Sequence, residues 1–124
     1  MQQRLENNVA VITGGTSGIG LATAKLFIEE GAFVFVTGRR KKELDDVVAV
    51  LGERSFGVQA DSSKAADLDR LFQTVSSLKG RIDVLFANAG NFSHFPLAGV
   101  TEDHYGQTFD TNVKGVVFTV QKAL

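Results

Sequence analysis

Three glycines at a spacing of four and then two, Gly14, Gly18 and Gly20, stand between an apolar run and a helical pattern, and they constrain this chain more than any other feature. Residues 9–12 are uniformly apolar, as expected of a strand covered on both faces. Apolar residues in 21–27 recur at helical spacing. The order is therefore strand, tight loop, helix. A loop without Cβ atoms, followed by a helix N-terminus, lets backbone N–H groups approach a diphosphate. The spacing points to a dinucleotide site; the bland alternative is a glycine-rich turn between a buried strand and a helix.

The rest of the chain repeats the alternation. Strands are predicted at 33–37, 55–60 and 82–87, and helices from about residue 21 to Glu30, over 41–51 and over 64–78. Gly31, Gly52 and Gly80 supply the stops. In the first helix Ala22, Leu26 and Phe27 are expected to face the sheet, with Lys25, Glu29 and Glu30 toward water. Residues 91–100 read as loop, and Thr101 reads as the cap of a helix with Glu102 and Asp103 in its first turn. The pattern stays helical through Phe118, although Gly106 and Gly115 argue against one continuous helix, and Tyr105 is expected to pack on the sheet or a loop. This order predicts an α/β fold: one Rossmann-like, doubly wound parallel sheet with strand order 3-2-1-4, spanning residues 1–124.

Composition removes other function classes. Thirteen Lys and Arg against fourteen Asp and Glu leave a net charge of -1, which gives no sign of a surface for nucleic acid or an anionic membrane, small basic patches aside. No run approaches transmembrane length, and the N-terminus lacks an apolar signal core. Cysteine is absent, and His94 and His104 have no acidic cluster to join them, so no metal site is expected. The expectation is a soluble cytoplasmic protein.

With its motifs in order, the chain resembles the N-terminal half of a member of the short-chain dehydrogenase/reductase family. Thr13 to Gly20 matches the family's TGxxxGxG pattern, Asp61 follows the third strand, Asn88-Ala89-Gly90 matches its NAG motif, and Asn112 falls at its structural and catalytic asparagine. The resemblance implies a nicotinamide dinucleotide held by Gly14, Thr16, Ser17, Gly18, Ile19, Gly20, Arg39, Arg40, Asp61, Ser62, Asn88, Ala89 and Gly90. Gly14 would permit the tight turn, Gly18 the diphosphate approach and Gly20 helix packing, while Ile19 lies along the dinucleotide or is ordinary core. Asp61, with Ser62 beside it, would accept the adenine amino hydrogen; Asn88 would brace the turn after the fourth strand, and Gly90 would let backbone pass beside the ribose.

An acid at the end of the second strand binds both ribose hydroxyls in an NAD site and repels a 2′-phosphate. Gly38 stands in that place, followed by Arg39 and Arg40, whose planar donor sets suit a phosphate. NADP is the expected cofactor, carried mainly by Arg39, with NAD the alternative if the two arginines are only a solvated face. Ser17 contributes no charge at the family's other phosphate position. The family's reaction moves hydride between the nicotinamide and a carbonyl or alcohol carbon, with a small molecule as substrate. Phe92, Phe95 and Leu97 would give the pocket one apolar wall. The Tyr-x-x-x-Lys pair and its serine have no match in residues 1–124: Tyr105 precedes Asn112 and is followed four residues on by Phe109. The expectation is thus a catalytically incomplete portion of an enzyme, a homo-oligomer at full length. A non-catalytic dinucleotide-binding half-domain and an assembly module that keeps the fold motif are the other readings.

Overall fold

The computed structural model describes residues 3–91 and 95–124, so Phe92 and His94 lie outside the described residues. Four strands, β1 (Val9–Thr13), β2 (Phe33–Gly38), β3 (Ser55–Gln59) and β4 (Val84–Ala87), form one parallel sheet in the order β3-β2-β1-β4. Helices α1 (Gly18–Glu29), α2 (Lys41–Leu51) and α3 (Ala65–Leu78) connect them. After β4 come a 3₁₀ turn at Leu97–Gly99 inside the segment expected to be loop, then α4 (Glu102–Phe109), a π-helical turn at Asp110–Lys114 and α5 (Gly115–Ala123).

The period of two in β1 builds both cores. Ala10 and Ile12 point to one face, where they join Val34, Val36, Ala24, Ala32 and Leu44 beneath α1 and α2. Val9 and Val11 point to the other, with Phe35, Val58, Leu71 and Val75 beneath α3. All five residues of β1 are buried, which is why it carries no polar residue until Thr13. Leu5, ahead of β1, packs against the first core.

The inward face of α1 differs from the expectation. Ala22 and Leu26 face solvent, Leu26 with 50% exposure, and the buried positions are Gly20 and Ala24, with Phe27 and Ile28 partly buried. The helix begins at Gly18 and lies so close to the glycine loop that a Cβ on Gly20 would collide with the Gly14 carbonyl oxygen. Such an approach selects small residues for the inner face and turns the larger Leu26 outward. Glu30 is half-buried because it accepts hydrogen bonds from the Arg4 backbone N–H and guanidinium.

Thr101 caps α4 by accepting from His104 N at 3.1 Å. The two glycines do not break the helical run from α4 into α5. Gly106 sits in α4 with open space around it, and Gly115 is required by packing: a Cβ there would lie 2.8 Å from the Ser62 carbonyl oxygen. Tyr105 touches neither core. It is 58% exposed and stacks on Phe109 with ring centroids 4.5 Å apart. Lys122 fastens α5 to α3 through Asp69 at 2.6 Å.

Candidate functional site

β1 lies between β2 and β4 in the sheet, and at the C-terminal ends of β1 and β2 two buried threonines organise the backbone. Thr13 Oγ1 accepts from the N–H groups of Asn88 at 3.0 Å and Ala89 at 3.1 Å. Thr37, at the end of β2, accepts from Gly14 N at its hydroxyl (3.1 Å) and from Gly15 N at its carbonyl (3.0 Å). Asn88 Nδ2 closes the circle by donating to the Gly14 carbonyl at 3.1 Å. The glycine loop is thus tied to β2 and to the turn after β4, on both sides of β1, through Gly14 N, Gly15 N and the Gly14 carbonyl.

Three glycines of the loop serve three needs. Gly14 has φ +68°, and a Cβ there would stand 2.8 Å from Ala89 Cα. Gly20 lets α1 settle on the loop. Gly18 has φ +56° and nothing within 4 Å of its would-be Cβ, so the left-handed backbone conformation, and not crowding, calls for glycine there. Ser17 is the N-cap of α1 in an extended conformation and makes no side-chain capping bond, which leaves first-turn N–H groups available to an anion.

A cavity of about 350 Å³ opens over this loop, lined by Gly14, Thr16, Ser17, Gly38, Arg39, Arg40, Asp61, Ser62, Asn88, Ala89 and Gly90, together with Thr37, Glu43, Ala60 and Thr111. Every expected cofactor-binding residue lines it except Gly18, Ile19 and Gly20. Ile19 is 72% exposed on the first turn of α1, so it is not ordinary core.

The charges in the cavity divide cleanly. Arg40 is engaged by Glu43 at 3.0 Å, whereas among the described residues Arg39 has no acidic partner within bonding distance. Asp61 uses one carboxylate oxygen to accept from Ser63 N (2.9 Å) and Ser63 Oγ (2.6 Å). Partial burial works to raise its pKa, but the Ser63 bonds and the nearby charges of Arg39 and Lys64 prevail and hold it below the usual carboxylate range. The other oxygen remains available as an acceptor. Ser62 is buried beside it.

Asn112 occupies the π-helical turn. Its Oδ1 accepts from Asn91 N at 2.8 Å and its Nδ2 donates to Asn91 O at 2.7 Å, so both amide atoms brace the chain just after Gly90. A Cβ on Gly90 would lie 2.9 Å from that Oδ1. Among the described residues no cluster of three His, Cys, Asp or Glu could hold a metal ion, and no helix is long and apolar enough to cross a membrane.

Sequence reasoning missed Thr37, Gly15 and Glu43. The signal for Glu43 was its spacing of three from Arg40 on a predicted helix. Thr37 and Gly15 act across strands, where a Cβ on Gly15 would meet the Val36 side chain at 2.7 Å.

Comparison with known proteins agrees with this fold. The family model for short chain dehydrogenase matches residues 8–124. Oxidoreductase asL5 of Sarocladium schorii is 50% identical over 122 residues, covering 98% of this chain and 49% of the relative. Galactitol 2-dehydrogenase of Agrobacterium fabrum is 36% identical over 118 residues, covering 95% and 46%. A crystal structure from Brucella melitensis, described as a short-chain dehydrogenase/reductase of the glucose/ribitol dehydrogenase type, superposes with a TM-score of 0.94 at 32% identity, covering 99% of this chain and 53% of its own. The chain spans about half the length of the curated relatives it matches.

Proposed function

Because the chain belongs to the short-chain dehydrogenase family, we propose that residues 1–124 build the cofactor-binding portion of an NADP(H)-dependent oxidoreductase acting on a small carbonyl or alcohol substrate. The observation that carries this reading is the end of β2, where Gly38 presents no acid and Arg39 lines the cavity with no carboxylate within ion-pair distance among the described residues. Bound there, the nicotinamide cofactor supplies hydride chemistry.

The chain's own residues provide the seat. The open face of Gly18 and the uncapped start of α1, with Thr16 and Ser17 on the cavity wall, receive the diphosphate. The available oxygen of Asp61 accepts from the adenine amino group, with Ser62 beside it, and Arg39 pairs with the 2′-phosphate. Arg40 is the lesser contributor because Glu43 already neutralises it. Asn88 and Ala89, anchored on Thr13, fix the floor, and Gly90 keeps the ribose side free of a side chain. Asn112, expected to be catalytic, acts as a positioning residue through the Asn91 backbone.

The family's Ser, Tyr and Lys belong in this proposal to a further portion of the protein, a reading supported by the half-length match to relatives. An intact mass near twice 13.3 kDa is its direct check. We place the protein in the cytoplasm, in keeping with the absence of cysteine from residues 1–124. Tyr105, Phe109, Val113 and Val117 form an exposed apolar stripe along α4, the π-helical turn and α5, which supports assembly of the whole protein into a homo-oligomer.

Calorimetric titration with NADP and with NAD tests the cofactor assignment. NADP is expected to bind at least about tenfold more tightly, and Arg39→Ala to remove that margin while leaving NAD unchanged, as for loss of one partly exposed charge-assisted pair. Equal affinities for the two cofactors, both indifferent to Arg39→Ala, overturn the assignment.

A further inference from the structure

Gly38 is a glycine for a reason that its backbone does not supply. It sits in β2 and is not among the residues with positive φ, and a glycine inside a strand costs stability. The neighbours supply the reason. A Cβ at position 38 would lie 2.6 Å from Thr16 Cγ2, closer than real Cβ atoms come, while its next contacts, Leu44 Cβ and Cδ1, stand at an ordinary 3.7 Å. The obstacle is the Thr16 methyl. The loop is held immediately before Thr16, where Gly14 N and Gly15 N are bonded to Thr37 and Gly15 lies hard against Val36. Its branched Cβ also restricts χ1.

We infer that Thr16 is a specificity-determining residue: its methyl fills the seat that an acid at the end of β2 would need, and so keeps an acid out of position 38, next to Arg39. Selection against an NAD-type acid is then written in two places, at position 38 and across the crevice at position 16. The inference rests on the NADP reading of the site. It adds that replacing Gly38 alone cannot convert the site.

The test uses Gly38→Asp, Thr16→Ser and the double variant, because Thr16→Ser deletes the methyl and keeps the hydroxyl. Affinities for NADP and NAD are measured by calorimetry, and melting temperature by circular dichroism. Gly38→Asp alone is expected to lose NADP affinity by about tenfold or more, to melt lower, and to gain little for NAD; adding Thr16→Ser is expected to raise NAD affinity about tenfold over the single variant. A full gain for NAD from Gly38→Asp alone overturns the inference. An uncharged cycle keeps the two claims apart: Gly38→Ala should lower the melting temperature when Thr16 is present and raise it in the Thr16→Ser background. Additive effects in that cycle refute the steric coupling even if NADP is preferred. A wild-type chain without NADP preference refutes the cofactor reading, while a non-additive cycle would still show that Thr16 fills the seat.

Discussion

Thr13→Val is the most informative single change, because valine keeps the shape of a side chain that is 1% exposed and removes only its oxygen. That oxygen serves two donors, Asn88 N and Ala89 N. Two net hydrogen bonds at about 1 kcal/mol each give a loss of about 2 kcal/mol, rising to about 4 kcal/mol if the freed N–H groups stay dry. For a domain of this size, about 2 kcal/mol corresponds to a fall of about 8 °C in melting temperature. Thr119→Val is the control. Thr119 is also 1% exposed, but its hydroxyl donates to the Gly115 carbonyl at 2.6 Å, inside a helix that provides that carbonyl with a backbone donor. Its loss orphans nothing and should cost less than about 0.5 kcal/mol. Urea unfolding of the two variants side by side measures the difference. If both fall within about 0.5 kcal/mol of each other, the claim that Thr13 holds the crevice by accepting backbone donors is wrong.

Gly115→Ala should destabilise by about 1–3 kcal/mol although alanine is the better helix former by about 1 kcal/mol, because the new Cβ meets the Ser62 carbonyl oxygen and the Asp110 carbonyl oxygen; thermal unfolding shows whether overlap or propensity wins. Asp83 carries a pH signature. The Val9 backbone N–H at 2.7 Å and then the Arg81 guanidinium at 3.0 Å hold its pKa below the ordinary value. A depressed pKa gives stability that is present above the ordinary carboxylate range and is lost as pH falls through the folded value. Asp83→Asn should therefore be less stable at neutral pH and show a shallower acid limb in urea midpoints taken between roughly pH 7 and pH 3; an unchanged limb would remove Asp83 from the account.

Strand order, the Thr101 cap and the glycine stops were legible because each is written in adjacent residues: a period of two, an oxygen before a helix, a glycine after one. The inner face of α1 was not. Hydrophobicity nominated Leu26, whereas the closeness of Gly20 to the Gly14 carbonyl decides which side can face the loop, and that distance has no local signature. The π-helical turn is hidden for a similar reason. It brings Asn112 onto Asn91, a partner 21 residues away, and no periodicity in 110–114 announces it. Tyr105 misled by size, since an aromatic in a helical pattern was expected to find a core and instead found Phe109. At the site, the motif residues were readable as a set, but the supports Thr37 and Gly15 emerge only when β2 lies beside the loop.

The bonds from Asn88 and Ala89 to Thr13 span 75 and 76 residues of chain. β1, β2 and β3 can zip together through successive short crossovers, but β4 must return past both of them to reach the far side of β1. Closing so long a loop is entropically the late event in such a topology. The glycine turn would then exist in a folding chain before the Asn88–Gly90 floor does, so dinucleotide capture would report the arrival of the last strand rather than the collapse of the core.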